Sequence, residues 1–294
     1  MDVSSLHGKT ALVTGAGSGI GRATALAIAR RGADLIVCDV NEAGLAETAE
    51  SIRVLGGRVD AARVDVSDRE AMRAFSDAVH ARIEAVDLLV NNAGVAVGGG
   101  ALHTTLEDWD WIMGVNVWGV VHGCHFFVPP MVRRGRGGHV ANVASAAGFV
   151  ASEALVAYCT TKYAVLGFSE ALRDELAKHR IGVTAVCPGI INTPITRAAR
   201  LRGPEATPAA RQYMIDSYVR RAYTPEQVAE NLLRAVARNR GVAPISPEAW
   251  VMYYLKRAAP GAVAWINRKM SERARREIAR LGAGAAGNGE RGPS

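Results

Sequence analysis

Seven short β-type runs recur along the chain with helix-period stretches between them, and this alternation restricts the fold more than any other feature. Residues 10–13, 35–38, 86–90, 139–143, 183–186 and 242–245 are rich in Val, Ile, Leu and Ala, and a more polar run covers 58–64. Apolar runs of this kind suit strands buried on both faces, and parallel strands need crossovers long enough to hold a helix. The expected fold class is therefore α/β, a parallel sheet of about seven strands in a three-layer α/β/α arrangement.

No linker-like stretch interrupts residues 6–246, so 1–246 reads as a single domain. Within it, 194–224 is rich in Arg, Ala and Pro and has the character of a mobile helical insertion, a substrate lid. Beyond it, 247–281 is expected to form a helical extension of basic and apolar residues, and the Gly- and Ala-rich 282–294 a disordered tail. Ser67-Asp68-Arg69-Glu70 has the form of a capping box, and Met72, Phe75, Val79 and Ile83 follow at helical spacing. That pattern predicts a helix lying on the sheet.

Composition enters where it excludes functions. The four cysteines are widely spaced and form no C-x-x-C pair, so they indicate neither a disulfide framework nor a zinc site. Together with an N-terminus lacking the basic and apolar regions of a secretion signal, they suit a reducing, cytoplasmic location. The histidines show no metal-ligand pattern, and no metal is expected. The net charge is +7, yet from Trp250 onward nine Lys or Arg face three Glu, which puts +6 there and +1 on residues 1–249. The basic balance is thus a property of the C-terminal appendage, and nucleic acid is not an expected partner. Residues 112–132 carry no formal charge and are long enough to span a bilayer, but Asn116, His122, His125 and Pro129-Pro130 within them suit a core and interface helix.

After the first run stands Thr14-Gly15-Ala16-Gly17-Ser18-Gly19-Ile20-Gly21, leading into an Ala-rich helical stretch. Glycines at a strand-to-helix turn let the backbone approach a pyrophosphate, and the helix N-terminus offers it unpaired N–H groups. The spacing is T-G-x-x-x-G-x-G rather than G-x-G-x-x-G. Eighteen residues past Gly21, at the end of the second run, Asp39 can accept hydrogen bonds from the ribose hydroxyls of NAD and would repel the 2′-phosphate of NADP. Neither Ser18 nor Val40 supplies a cation for that phosphate, so NAD(H) is expected over NADP(H).

Tyr158 and Lys162 stand four residues apart, 13 residues after Ser145. Helical spacing puts the pair on one face. A free phenol is a poor base at neutral pH, and an adjacent ammonium favours its phenolate, which makes Tyr158 a candidate general acid/base.

With these residues assembled, the chain resembles the classical branch of the short-chain dehydrogenase/reductase family over about residues 6–245. The resemblance implies a Rossmann-type doubly wound sheet and assigns roles residue by residue. Thr14 to Gly21 matches the cofactor turn, which brings in Gly15, Gly17, Ser18, Gly19, Ile20 and Gly21. Asp39 and Val40, Asp65-Val66, and Asn92, Ala93 and Gly94 of the Asn91-Asn92-Ala93-Gly94 motif match further cofactor contacts. Pro188-Gly189, Ile191 and Thr193 match the nicotinamide-side loop. Asn116, in Asn116-Val117-Trp118-Gly119, falls with Ser145, Tyr158 and Lys162 on the family's catalytic set. By this resemblance Tyr158 exchanges a proton with the substrate oxygen, Ser145 fixes that oxygen, and Lys162 lowers the tyrosine pKa and holds the nicotinamide ribose. Asn116 is expected to hold, through its main-chain carbonyl, a water that links Lys162 to solvent. As residues alone, Ser145 could also be a turn former and Asn116 a buried amide bridging two helices. Cys159 reads as a buried, inert thiol.

The segments expected around the nicotinamide, including Phe149 and Ile190, carry little charge, so a hydrophobic small-molecule substrate is expected, with Ser145, Phe149, Tyr158 and Ile190 touching it. The leading function is interconversion of a hydrophobic secondary alcohol and its ketone. An NADPH-dependent ketoreductase of acyl or polyketide-like substrates and a non-catalytic NAD-binding sensor or scaffold are the alternatives. The 112–132 and 157–178 helices suit the paired-helix homodimer common in the family, and the extension in place of a short glycine-rich final strand puts a homotetramer second. The extension itself admits two readings, a helix packed on its own or a partner subunit, and a weak contact with a membrane surface.

Overall fold

The computed structural model describes residues 1–203, 206–219 and 223–289, with the backbone alone at 218 and 281–289. Nine strands run in chain order as β1 Thr10–Thr14, β2 Asp34–Asp39, β3 Val59–Arg63, β4 Leu88–Asn91, β5 Val97–Gly98, β6 Gly138–Val143, β7 Ile181–Pro188, β8 Arg200–Leu201 and β9 Val242–Ile245. Seven of them form one all-parallel sheet in the order β3-β2-β1-β4-β6-β7-β9. All seven expected runs are in it, with ends shifted by two residues or fewer. The order turns back at β1, so that β1 and β4 flank the point where the chain begins winding the opposite way.

The helices are α1 Gly19–Ala29, α2 Glu42–Val54, α3 Arg69–His80, α4 Leu106–Met113, α5 Gly119–Arg134, α6 Val156–Leu176, α7 Ile195–Ala198, α8 Pro208–Val219, α9 Pro225–Ala237, α10 Pro247–Ala258 and α11 Pro260–Gly289. Strand alternation divides the core. Ala11, Val13, Leu35 and Val37 face α1, α2 and α9, whereas Leu12, Ile36, Leu89 and Val140 face α3, α5 and α6. This is the three-layer parallel sheet that the run pattern implies, in the Rossmann-type doubly wound form that the resemblance implies.

The uncharged stretch is helical from α4 through a π-helical turn, Gly114–Trp118, into α5. Its length and hydropathy would allow a bilayer crossing, but half of that window is buried, with Phe127 and Met131 inaccessible beneath α3 and the sheet. Two local expectations change. Helix α3 is capped by Asp68, whose carboxylate accepts from the N–H groups of Glu70 and Ala71, while Ser67 turns back to Asp65; the capping box does not form because the helix starts one residue later than expected and the Ser67 hydroxyl is committed to Asp65. Of the tail expected to be disordered, 282–289 continue α11, whose elongation adds one hydrogen bond per residue. The rest of that tail, 290–294, lies outside the described residues.

Residues 194–224 become α7, β8 and α8, apart from 204–205 and 220–222, which lie outside the described residues. Strand β8 pairs with β5, and the two arginines flanking that pairing converge on Asp108 of α4. Asp108 is 1% exposed and is held by Arg202 at 2.5 and 2.8 Å and by Arg200 at 3.2 Å. The hydrogen bonds from Arg202, and then Arg200, hold its carboxyl below the usual range against the opposing effect of burial. The guanidinium of Arg200 also stacks 3.6 Å from the ring centroid of Trp111.

Candidate active site

The carboxyl ends of β1, β2, β4, β6 and β7 open into one cleft of about 730 Å³. Its first half is made by the turn after β1. Gly15 and Gly19 adopt φ of +65° and +52°, where other side chains are strained, and a β-carbon on Gly21 would collide with the Gly15 carbonyl and the Asn92 side chain. Gly15, Ser18, Gly19 and Ile20 line the cleft, while Gly17 and Gly21 do not, because their work is to let the turn close on its neighbours. Ser18 begins α1 without a side-chain cap, so the N–H groups of the first turn meet the cleft with no such partner.

Asp39 and Val40 stand at the rim of this half. The Asp39 carboxylate accepts from Gly17 N–H at 2.8 Å and Asn41 N–H at 2.9 Å, which fixes its direction and leaves further acceptor capacity. No sequence signal pointed to Arg22, whose guanidinium donates to the carbonyls of Gly17 and Gly44 and pairs with Glu47 at 2.8 Å, clamping the glycine turn onto α2. Asn92 ties β4 to the same turn through bonds to Thr14 and Gly15, and Asp65, Val66, Ala93 and Gly94 complete the wall. Across the cleft, Thr193 comes within 3.4 Å of where a Gly19 β-carbon would lie, so the loop after β7 reaches the start of α1.

The second half gathers three of the four residues expected to carry proton transfer. Tyr158 and Lys162 project from the first turns of α6, and Ser145 from the end of β6. Lys162 is 4% exposed, donates to Val143 O at 2.9 Å, and lies 5.6 Å from the Tyr158 ring centroid. Burial pulls its ammonium down from 10.5 to about 8, with nearby Cys187 opposing. The Ser145 hydroxyl accepts from Ala147 N–H at 3.1 Å and donates to Pro188 O at 3.5 Å, an arrangement a substrate oxygen could exchange with. Pro188, Gly189, Ile190, Ile191 and Thr193 face it.

Asn116 is fully buried in the π-helical turn behind the wall and does not border the cleft. Its amide exchanges two bonds with the Val95 backbone, at 2.8 and 3.0 Å, and donates to Thr161 Oγ1 at 3.0 Å, one residue from Lys162. The side chain is therefore the buried bridge that the residue alone also allowed. Phe149 is a correction. It is 4% exposed and packs edge-on against Tyr253 at 5.3 Å, because the turn Ala146–Gly148 rotates it into the core and presents Val150 to the cleft instead. Cys159 borders the cleft, and burial raises its thiol above the usual range.

The outer wall comes from residues that sequence reasoning did not single out as site residues: Trp111, Leu155, Met214, Met252, Asn267 and Met270. Four of them belong to 194–224 and the extension, at inward-facing positions that the sequence does not mark.

Residues 9–202 match the short chain dehydrogenase family. The chain belongs to that family. It is 42% identical over 255 residues to EphD of Mycobacterium tuberculosis (strain ATCC 25618 / H37Rv), a match covering 85% of this chain but 43% of EphD, so the chain spans less than half of that relative's length. It is 38% identical over 259 residues to SadH of the same organism, covering 87% of this chain and 92% of SadH, and both relatives carry the word oxidoreductase in their names. A short-chain dehydrogenase/reductase from Burkholderia phymatum, solved in complex with NAD, superposes with a TM-score of 0.79 at 34% identity over 87% of this chain and 95% of that one. The membership gives this chain the short-chain dehydrogenase fold with its nucleotide-binding turn.

Proposed function

We propose that the protein interconverts a hydrophobic secondary alcohol and its ketone with NAD(H), Tyr158 acting as general acid/base. The observation that carries this reading is the joint presence of Tyr158, Lys162 and Ser145 on one wall of a cleft whose opposite end is a glycine turn and an uncapped helix N-terminus. That end fits a dinucleotide: backbone N–H groups for the pyrophosphate, and the Asp39 carboxylate, with Val40 rather than a cation beside it, for the adenosine ribose hydroxyls. When bound, the nicotinamide supplies the hydride chemistry.

The protein's own residues do the rest. Ser145 holds the substrate oxygen beside Tyr158, whose phenolate takes the alcohol's proton in oxidation and whose phenol returns one in reduction. Lys162, whose buried ammonium is drawn down to about 8, favours the phenolate through its charge and would hold the ribose of a bound nicotinamide. Asn116 anchors the Val95 and Thr161 ends of this wall, so that α6 and the loop after β4 keep one register. Trp111, Leu155, Met214, Met252 and Met270 favour an apolar substrate body. A panel of alcohols and ketones assayed with NAD, NADH, NADP and NADPH by absorbance of the reduced nicotinamide tests the proposal. Turnover of apolar substrates with NAD(H) is expected, and an absence of turnover despite dinucleotide binding would move the protein to the sensor class.

A further inference from the structure

Helix α11 has two unlike faces. The inner face is bound to the domain: Val263 is buried, Asn267 donates to Ala151 O at 2.8 Å, and Arg275 on the flank pairs with Glu153 at 2.9 Å. On the opposite face Trp265, Lys269, Arg276 and Arg280 recur at i, i+4, i+11 and i+15, which at 3.6 residues per turn confines them to about 60° of arc, with Arg268 and Arg273 on its shoulders. All six are exposed, Trp265 at 57%. Glu272 is the acidic residue within this stripe, and it serves both Lys269 at 3.2 Å and Arg276 at 3.8 Å; Arg268, Arg273 and Arg280 make no ion pair among the described residues. On the adjoining helix α10, Val251 and Tyr254 share one face and are 63% and 61% exposed.

We propose that this surface docks the protein on an anionic lipid bilayer, with α11 lying along the headgroups. Charge complementarity selects the occupant: a row of cations in excess of the Glu272 that serves two of them, interleaved with an amphipathic Trp, is what a negatively charged interface recognises. Exposed Val251 and Tyr254 distinguish the patch from a phosphate-tracking surface, because apolar groups gain nothing along a nucleic-acid backbone. Position gives the docking a use. Asn267 and Met270, on the inner side of the same helix, border the cleft, so a docked α11 sits between the cleft and the bilayer as its cover.

The test is cosedimentation of the full chain with vesicles of phosphatidylserine in phosphatidylcholine and with phosphatidylcholine alone, at low and high salt. Binding to the anionic vesicles at low salt is expected, weakened at least about tenfold by high salt or by removing phosphatidylserine. Arg273→Glu/Arg280→Glu should abolish that binding and leave the unfolding temperature unchanged, and Trp265→Ser should weaken it severalfold. Equal binding to neutral vesicles, or none at low salt, overturns the proposal. So does tighter binding of duplex DNA under the same conditions. Self-association that Arg273→Glu/Arg280→Glu dissolves in sedimentation velocity would reassign the stripe to a second copy of the chain.

Discussion

On the β1–β2–β4 side of the cleft, the groups that meet a ligand are largely backbone atoms, fixed by strand ends, by Arg22 on the Gly17 and Gly44 carbonyls, and by Asn92 on Thr14 and Gly15. On the α8–α10–α11 side they are side chains, Met214, Met252 and Met270, carried by helices outside the sheet. The first region is tied down by hydrogen bonds within the domain that leave the first-turn N–H groups of α1 uncapped toward the cleft. The second is held by a few contacts, such as Asn267 to Ala151 and Arg275 to Glu153, and presents flexible thioethers that adapt to different apolar shapes. A rigid half for a constant ligand and a compliant half for a variable one can then change independently.

Four substitutions bear on that contrast. Tyr158→Phe, at the junction of the halves, should lower kcat by about 10²–10⁴-fold while leaving dinucleotide affinity within a fewfold, read by single-turnover rates and by quenching of protein fluorescence. Survival of near-normal turnover would falsify the acid/base assignment.

Lys162→Met should expose what burying the ammonium costs. The folded value near 8 lies below the ordinary 10.5, so the unfolded chain holds the proton more firmly, and the penalty is full below pH 8 and gone by about pH 10.5. Wild-type stability should therefore rise relative to the variant across that window by about 3 kcal/mol, offset uniformly by the lost bond to Val143 O. Parallel denaturation curves at pH 7 and 10 read it, and an unchanged difference between the two proteins would refute the buried charge.

Asp39→Ala should move the NAD-to-NADP preference by roughly tenfold or more, by removing one like charge from the 2′-phosphate, with KM for the alcohol unaffected. A constant cofactor ratio would sink the reading of the rigid half. Met252→Ala should raise KM for an apolar substrate by only about 3–10-fold and leave dinucleotide affinity alone. If dinucleotide affinity falls as well, the halves are coupled and the contrast fails.

The two regions also differed in how far they could be read from the chain. Gly15, Gly19, Asp39, Ser145, Tyr158 and Lys162 were legible because backbone conformation or proton chemistry demands those residue types at fixed spacing. The sheet was legible because doubly buried strands show as apolar runs. Phe149 was misplaced because an aromatic beside a motif can turn either way, and a three-residue 3₁₀ turn decides it. Gly17 and Gly21 matched the right motif but act on the turn's own packing. Met252 and Met270 carry no mark at all, since helical spacing assigns a face only once the neighbour is known.

The π-helical turn at Gly114–Trp118 has one more residue than an α-helical path would need. That extra residue acts as a phase shift: Trp111 upstream points at the cleft and Phe127 downstream at the core, in two helical registers that an unbroken α-helix would hold about 100° apart from their present setting. Deleting any one residue of that turn would not shorten a loop. It would join α4 and α5 as one unbroken α-helix with both registers kept, His122 still on Val66 and Phe127 on Phe75, and would remove the widened turn that holds Asn116.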